Sequence, residues 1–164
     1  MPRPDRVHVR NGVNHVTQRA TDHEILFADS VDRSSFDHIL ELTVKRYEWK
    51  LHAYCQLTNH VHMLIQTPKP TLSRGMQFLF GQYVAEFNAR HGRRGALVQS
   101  RYKTVLVETD EHYLECLRYF AMNPVAAGLC DRPEDWPWSS YKGDARLAPR
   151  MEDLLRSDLG IELR

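Results

Sequence analysis

The sequence predicts an α+β domain, with helices packed on a mainly antiparallel sheet. Three observations carry that reading. Apolar residues recur at helical spacing in three separate segments. Short runs rich in valine, isoleucine and leucine read as four strands between them. The resulting order is βα, ββ, α, β, α, in which the two middle strands are close enough to form a hairpin. Composition agrees: 164 residues, 42% hydrophobic and 26% charged, are enough for one core without disulfides.

Gly12 marks the start of a first strand over residues 13–17. Phe36, Ile39, Leu40, Val44 and Tyr47 set a helix over 34–47. Residues 51–57 and 60–67 read as the second and third strands, joined by a tight turn at Thr58-Asn59 and ended by Pro68 and Pro70. Thr71 is the expected N-cap of a second helix traced by Leu72, Met76, Leu79, Phe80, Val84 and Phe87. His91-Gly92-Arg93-Arg94-Gly95 reads as a loop, and 101–108 as a fourth strand. Asp110 is the expected N-cap of a third helix with the stripe Tyr113, Leu114, Leu117 and Phe120 or Ala121. Asn123-Pro124 should end it, because proline disfavours the α conformation in its predecessor. Beyond Gly128 the chain is polar, and Trp136-Pro137-Trp138 is expected to pin it back on the domain.

No apolar run reaches the roughly 18 residues of a membrane-spanning helix. Met1-Pro2-Arg3-Pro4-Asp5-Arg6 leads into no apolar leader, and the three cysteines, Cys55, Cys116 and Cys130, fit no zinc spacing. They read as reduced core thiols of a cytoplasmic protein. Net charge is only +1, but it is unevenly spread. Residues 69–103 carry seven basic groups against Glu86 alone, while residues 104–164 carry seven basic and twelve acidic groups. The basic segment fits either a phosphate-binding surface or a solvated helix face and loop.

His60-Val61-His62 is the first sign of chemistry. Residues two apart in a strand share a face, so both imidazoles project together and are able to share one ion. A pair of ordinary surface or hydrogen-bonded histidines has the same spacing. Neither an HExxH arrangement nor a cysteine pair completes a zinc site, and His8, His15, His23, His38, His52, His91 and His112 are scattered. The third helix supplies a second sign. Tyr119 and Asn123 lie opposite its apolar stripe and four residues apart, hence on one face. A phenol can act as a nucleophile, and an amide oxygen can ligate a hard cation. A half-exposed tyrosine and a helix-stopping asparagine are the plainer alternative.

Taken together, Asn59-His60-Val61-His62-Met63-Leu64-Ile65 resembles the His-hydrophobic-His (HUH) motif of single-tyrosine transposases. The chain resembles the REP-associated tyrosine transposases of that insertion-sequence family from about Met1 to Tyr141. Other blocks carry the resemblance too: Trp49-Lys50-Leu51-His52-Ala53-Tyr54-Cys55, Leu72-Ser73-Arg74-Gly75-Met76-Gln77, Phe87-Asn88-Ala89-Arg90-His91-Gly92, Gln99-Ser100-Arg101-Tyr102-Lys103 and Leu117-Arg118-Tyr119-Phe120-Ala121-Met122-Asn123-Pro124-Val125. The chain departs from the usual pattern at Thr58, where many relatives have proline, and at Ala121, where many have histidine. Val98 and Ala126 likewise replace a common aromatic and a common basic residue.

The resemblance implies an HUH endonuclease fold, a ferredoxin-like or RRM-like antiparallel sheet with helices, over residues 1–130, and a C-terminal extension over 131–164. It implies Tyr119 as nucleophile, and His60, His62 and Asn123 as ligands of a divalent ion, Mg²⁺ or Mn²⁺. The reaction would be nicking and rejoining of single-stranded DNA through a 5′-phosphotyrosine. The expected partner is single-stranded or hairpin DNA of REP type, bound by a monomer or homodimer at the nucleoid. Arg90, Arg93, Arg94, Arg101 and Lys103, with Arg3 and Arg6 near the N-terminus, become the expected DNA contacts. A non-cleaving hairpin DNA- or RNA-binding module of the same fold is the alternative, and a hydrolase acting through water a further one.

Overall fold

A computed structural model of the chain describes residues 6–142. The elements run β1 (Gly12–Arg19), α1 (Ser30–Arg46), β2 (Lys50–Gln56), β3 (His60–Thr67), α2 (Leu72–His91), β4 (Lys103–Val107) and α3 (Asp110–Ala126), followed by two short 3-10 turns. The strands form one sheet in the order β2-β3-β1-β4, with every neighbouring pair antiparallel. Each of α1 and α2 crosses between strands that are not neighbours, which gives the ferredoxin-like arrangement. The α+β reading holds.

Strand alternation sorts the side chains onto two faces. Val16, Val61, Met63 and Ile65 lie under α1 and α2, against Phe36, Leu40, Leu79, Phe80 and Tyr83. Leu64, Ala53 and Cys55 face the other way and meet Cys116, Leu117, Phe120 and Ala121 of α3. The functional residues lie on this second face. A register shift between Leu51 and Ala53 breaks the alternation of β2. It inserts His52 as an extra residue, so that Leu51 joins one core and Ala53 the other.

Several boundaries differ from those the sequence predicts: β1 runs on to Arg19, β4 is confined to Lys103–Val107, and the helices differ at their ends. α1 starts at Ser30, where the Asp29 carboxylate accepts the Asp32 N–H. Its first turn is largely polar, so apolar spacing alone begins counting at Phe36. α3 is capped by Thr109 rather than Asp110, the Thr109 hydroxyl accepting the His112 N–H. Asn123-Pro124 does not end α3, which continues to Ala126. Pro124 stands in the last turn, where it removes a single amide donor, and it is buried. The stop comes instead at Gly128, in the left-handed conformation at φ +74°.

The Trp136-Pro137-Trp138 stretch lies against the free edge of β2. Trp136 Nε1 donates to the Gln56 carbonyl at 2.9 Å, and the Gln56 N–H donates to the Trp138 carbonyl at 2.9 Å. Ser139 forms a bridge with Cys55. Residues 143–164 lie outside the described part. Among the described residues, no helix is long and apolar enough to cross a membrane.

Candidate active site

The site forms where the second face of the sheet meets α3. His60 and His62 both point to this face, their rings 4.9 Å apart. Each imidazole meets the protein through Nδ1. His60 Nδ1 lies 2.6 Å from Asn59 Oδ1. His62 Nδ1 lies 2.9 Å from His15 Nε2 and 3.1 Å from Thr17 Oγ1, both on β1. On its other side, His62 Nε2 is 3.4 Å from the Asn123 side-chain amide. A half-turn of that amide exchanges its nitrogen and oxygen.

Tyr119 stands one helical turn before Asn123 and is 50% exposed. Its ring meets His62 edge-on, with centroids 5.1 Å apart. The opposite side of α3, through Leu117, Phe120 and Ala121, is buried in the core, which fixes the helix's rotation. Because α3 stays helical through Pro124, Tyr119 and Asn123 remain on one face. Ala121 therefore lies off the face that Tyr119 and Asn123 share.

Burial pushes both histidines down: His60 to about 4, aided by the nearby Arg19 charge, and His62 to about 3, aided by His60, His15 and Arg19. His15 is lowered by burial first and then by His112. At neutral pH the imidazoles are uncharged and carry lone pairs. No group of three or more His, Cys, Asp or Glu side chains that could hold a metal occurs among the described residues. The donor set here is instead two imidazoles and one amide, all neutral, and it fits a divalent cation. Nitrogen donors suit Mn²⁺ better than Mg²⁺.

The basic residues are placed unevenly. Arg3 lies outside the described part. The Arg6 guanidinium stacks 3.7 Å over the Tyr102 ring. Arg90 pairs with Asp29 and, at 2.7 Å, with Asp32. Arg93 pairs with Glu24 at 3.1 Å and donates to the Ala96 carbonyl at 2.8 Å. Arg94 and Lys103 are exposed, and Arg101 is partly buried. Lys103 stands opposite Thr17, which stands opposite His62, so these three share a row across the sheet.

The sequence reading missed three residues here. His15, Thr17 and Arg19 share the face of β1 that adjoins the histidine pair, and Arg19 stands opposite His60. The two-residue spacing that singled out His60 and His62 runs through them as well.

Comparisons with known proteins agree with this frame. The family described as Transposase IS200 like matches residues 9–121. A Haemophilus influenzae protein named as a REP-associated tyrosine transposase is 25% identical over 131 residues, covering 73% of this chain and 74% of that one. The solved REP-associated tyrosine transposase bound to a REP hairpin has the same fold, with a TM-score of 0.75 at 18% identity over 91% of this chain and 89% of that one. A transposase structure from Deinococcus radiodurans gives a TM-score of 0.51 at 16% identity over 72% of this chain and 95% of that one. The Saccharomyces cerevisiae tRNA(His) guanylyltransferase gives 0.53 at 11% identity over 96% and 82%, a likeness of fold alone. The family match runs from just before β1, which carries His15, to the helix that carries Tyr119, well over half the chain, and the protein is therefore a DNA transposase of the IS200-like family.

Proposed function

We propose that this transposase nicks and rejoins single-stranded DNA beside a hairpin, with Tyr119 as the nucleophile. The observation that carries the reading is the Tyr119 ring resting on His62 one turn before Asn123. The hairpin follows from the REP-associated transposases to which the chain is similar.

The Tyr119 hydroxyl attacks a backbone phosphorus. A bond forms between the phenolic oxygen and phosphorus, and the bond to the 3′ oxygen breaks. The phenol gives up one proton and the departing 3′ oxygen takes one. The products are a 5′-phosphotyrosine and a free 3′-OH, and attack by a 3′-OH on that link reverses the step without ATP. His60, His62 and Asn123 would hold a divalent cation, Mg²⁺ or Mn²⁺, which as a Lewis acid polarises the phosphate and offsets its developing charge. Arg19, Arg94 and Lys103 are the first candidates for backbone phosphates, and Arg101 is a further one. Arg90 and Arg93 reach a phosphate only by exchanging their present partners.

Incubation of labelled single-stranded hairpin DNA with Mn²⁺, followed by denaturing electrophoresis, tests the reading. A covalent adduct is expected from the native protein and none from Tyr119→Phe. Equal cutting by Tyr119→Phe, with no protein attached, would identify attack by water instead. Tight binding without cleavage by the native protein would identify a non-cleaving module.

A further inference from the structure

The cation site needs His62 in one particular tautomer. For Nε2 to offer a lone pair, the ring proton must sit on Nδ1. Imidazole in water favours the opposite form, with the proton on Nε2, so the protein has to select. The geometry points to His15 and Thr17 as the positioning residues that hold His62 as its Nδ1–H tautomer and aim its Nε2 at the cation. This rests on the cation site proposed above.

Two contacts carry the inference. His62 Nδ1 is bracketed by His15 Nε2 at 2.9 Å and Thr17 Oγ1 at 3.1 Å. Either atom can accept from an N–H there, and the Thr17 hydroxyl lies 3.5 Å from His15 Nε2, at the outer limit of a bond. The ring is nearly enclosed, at 3% exposure, so water is not a competing partner for Nδ1.

The partners are themselves held. The β1–β3 ladder sets Thr17 directly opposite His62 and His15 opposite Leu64. The His15 ring is pressed against Phe120 of α3, with centroids 5.0 Å apart. Both residues come from a strand interior, and outer partners of this kind orient metal-binding histidines.

Two measurements test this. Long-range ¹H–¹⁵N correlation of the native protein reads the tautomer of each histidine directly, and His62 is expected with its proton on Nδ1. A proton on Nε2 would overturn the proposal without any variant. Mn²⁺ titration followed by electron paramagnetic resonance then compares the native protein with His15→Phe, Thr17→Val, Thr17→Ser and His60→Ala. His15→Phe keeps the ring's bulk against Phe120 while removing its nitrogens. It is expected to weaken Mn²⁺ binding by about 10- to 100-fold and to leave hairpin binding without metal unchanged. Thr17→Val should weaken Mn²⁺ binding less, and Thr17→Ser should restore it. Native Mn²⁺ affinity in His15→Phe, alongside loss in His60→Ala, would overturn the positioning role alone. Native affinity in both would remove the cation site as well.

Discussion

His62 is almost wholly enclosed and His60 partly so, and burial leaves both imidazoles uncharged at neutral pH. Each is thus ready to give a lone pair without first losing a proton. Replacing either His60 or His62 by alanine should lower adduct formation by at least about a hundredfold, the scale of losing one charge-stabilising group. Hairpin binding in a gel shift without metal should stay within a few-fold. Undiminished cutting by both variants would exclude their proposed role. The pair was legible in the sequence because both residues lie in one strand, where spacing alone fixes the shared face. Tyr119 and Asn123 were legible for the same reason on one helix. His15 and Arg19 were not, because their nearness to the pair depends on the β1–β3 register, which joins residues more than forty positions apart.

At the scale of elements, α2 shows how one residue sets a packing distance. The Trp49 ring lies directly on the helix at Gly75, and a Cβ there would come within 2.0 Å of it. Trp49 Nε1 donates to Thr71 Oγ1 at 3.0 Å, which holds the ring in place. Thr71 was expected to cap α2, but its side chain makes no capping bond and accepts this indole instead. Gly75→Ala should therefore destabilise by about 1–3 kcal/mol, the usual cost of overpacking. At Gly81, in the same helix, a Cβ would meet no atom within 4 Å, and Gly81→Ala should stabilise by about 0.5–1 kcal/mol. Urea unfolding of the two variants checks both signs; equal effects would mean that Trp49 does not set the spacing. The centres of all seven elements could be read from periodicity, and β3 to the residue. The polar first turn of α1 and the run of α3 past Pro124 could not, since capping and burial decide them rather than the apolar pattern.

Across the whole molecule, charge asymmetry was readable from the sequence, but its available part was not. The surplus over residues 69–103 includes Lys69, Arg90 and Arg93, which pair with Glu48, with Asp29 and Asp32, and with Glu24. These acids come from segments that look balanced when counted alone. The same long-range folding gathers four histidines on the face of the sheet that α3 packs against: His15, His52, His60 and His62. All four are lowered from the usual 6.5, with burial as the first cause; at His52 the Gln66 hydrogen bond partly opposes it. The unfolded chain then binds more protons than the folded one once the pH drops below about 6.5, so stability must rise with pH across that range. Their contribution is complete above about 6.5 and is lost progressively on acidification, towards about 4 for His60 and about 3 for His62. The Asp29 carboxylate, held well below its usual value by Arg90, adds a loss in the same direction only below about 3.8. Thermal unfolding followed by circular dichroism at pH 8, 7, 6, 5 and 4 should therefore give a Tm that is level above pH 7 and falls steadily below 6.5. His62→Gln should show a shallower fall over the same interval. A native Tm level from pH 7 to 4 would mean that the imidazoles beneath α3 take up protons in the folded state, and that α3 does not enclose them.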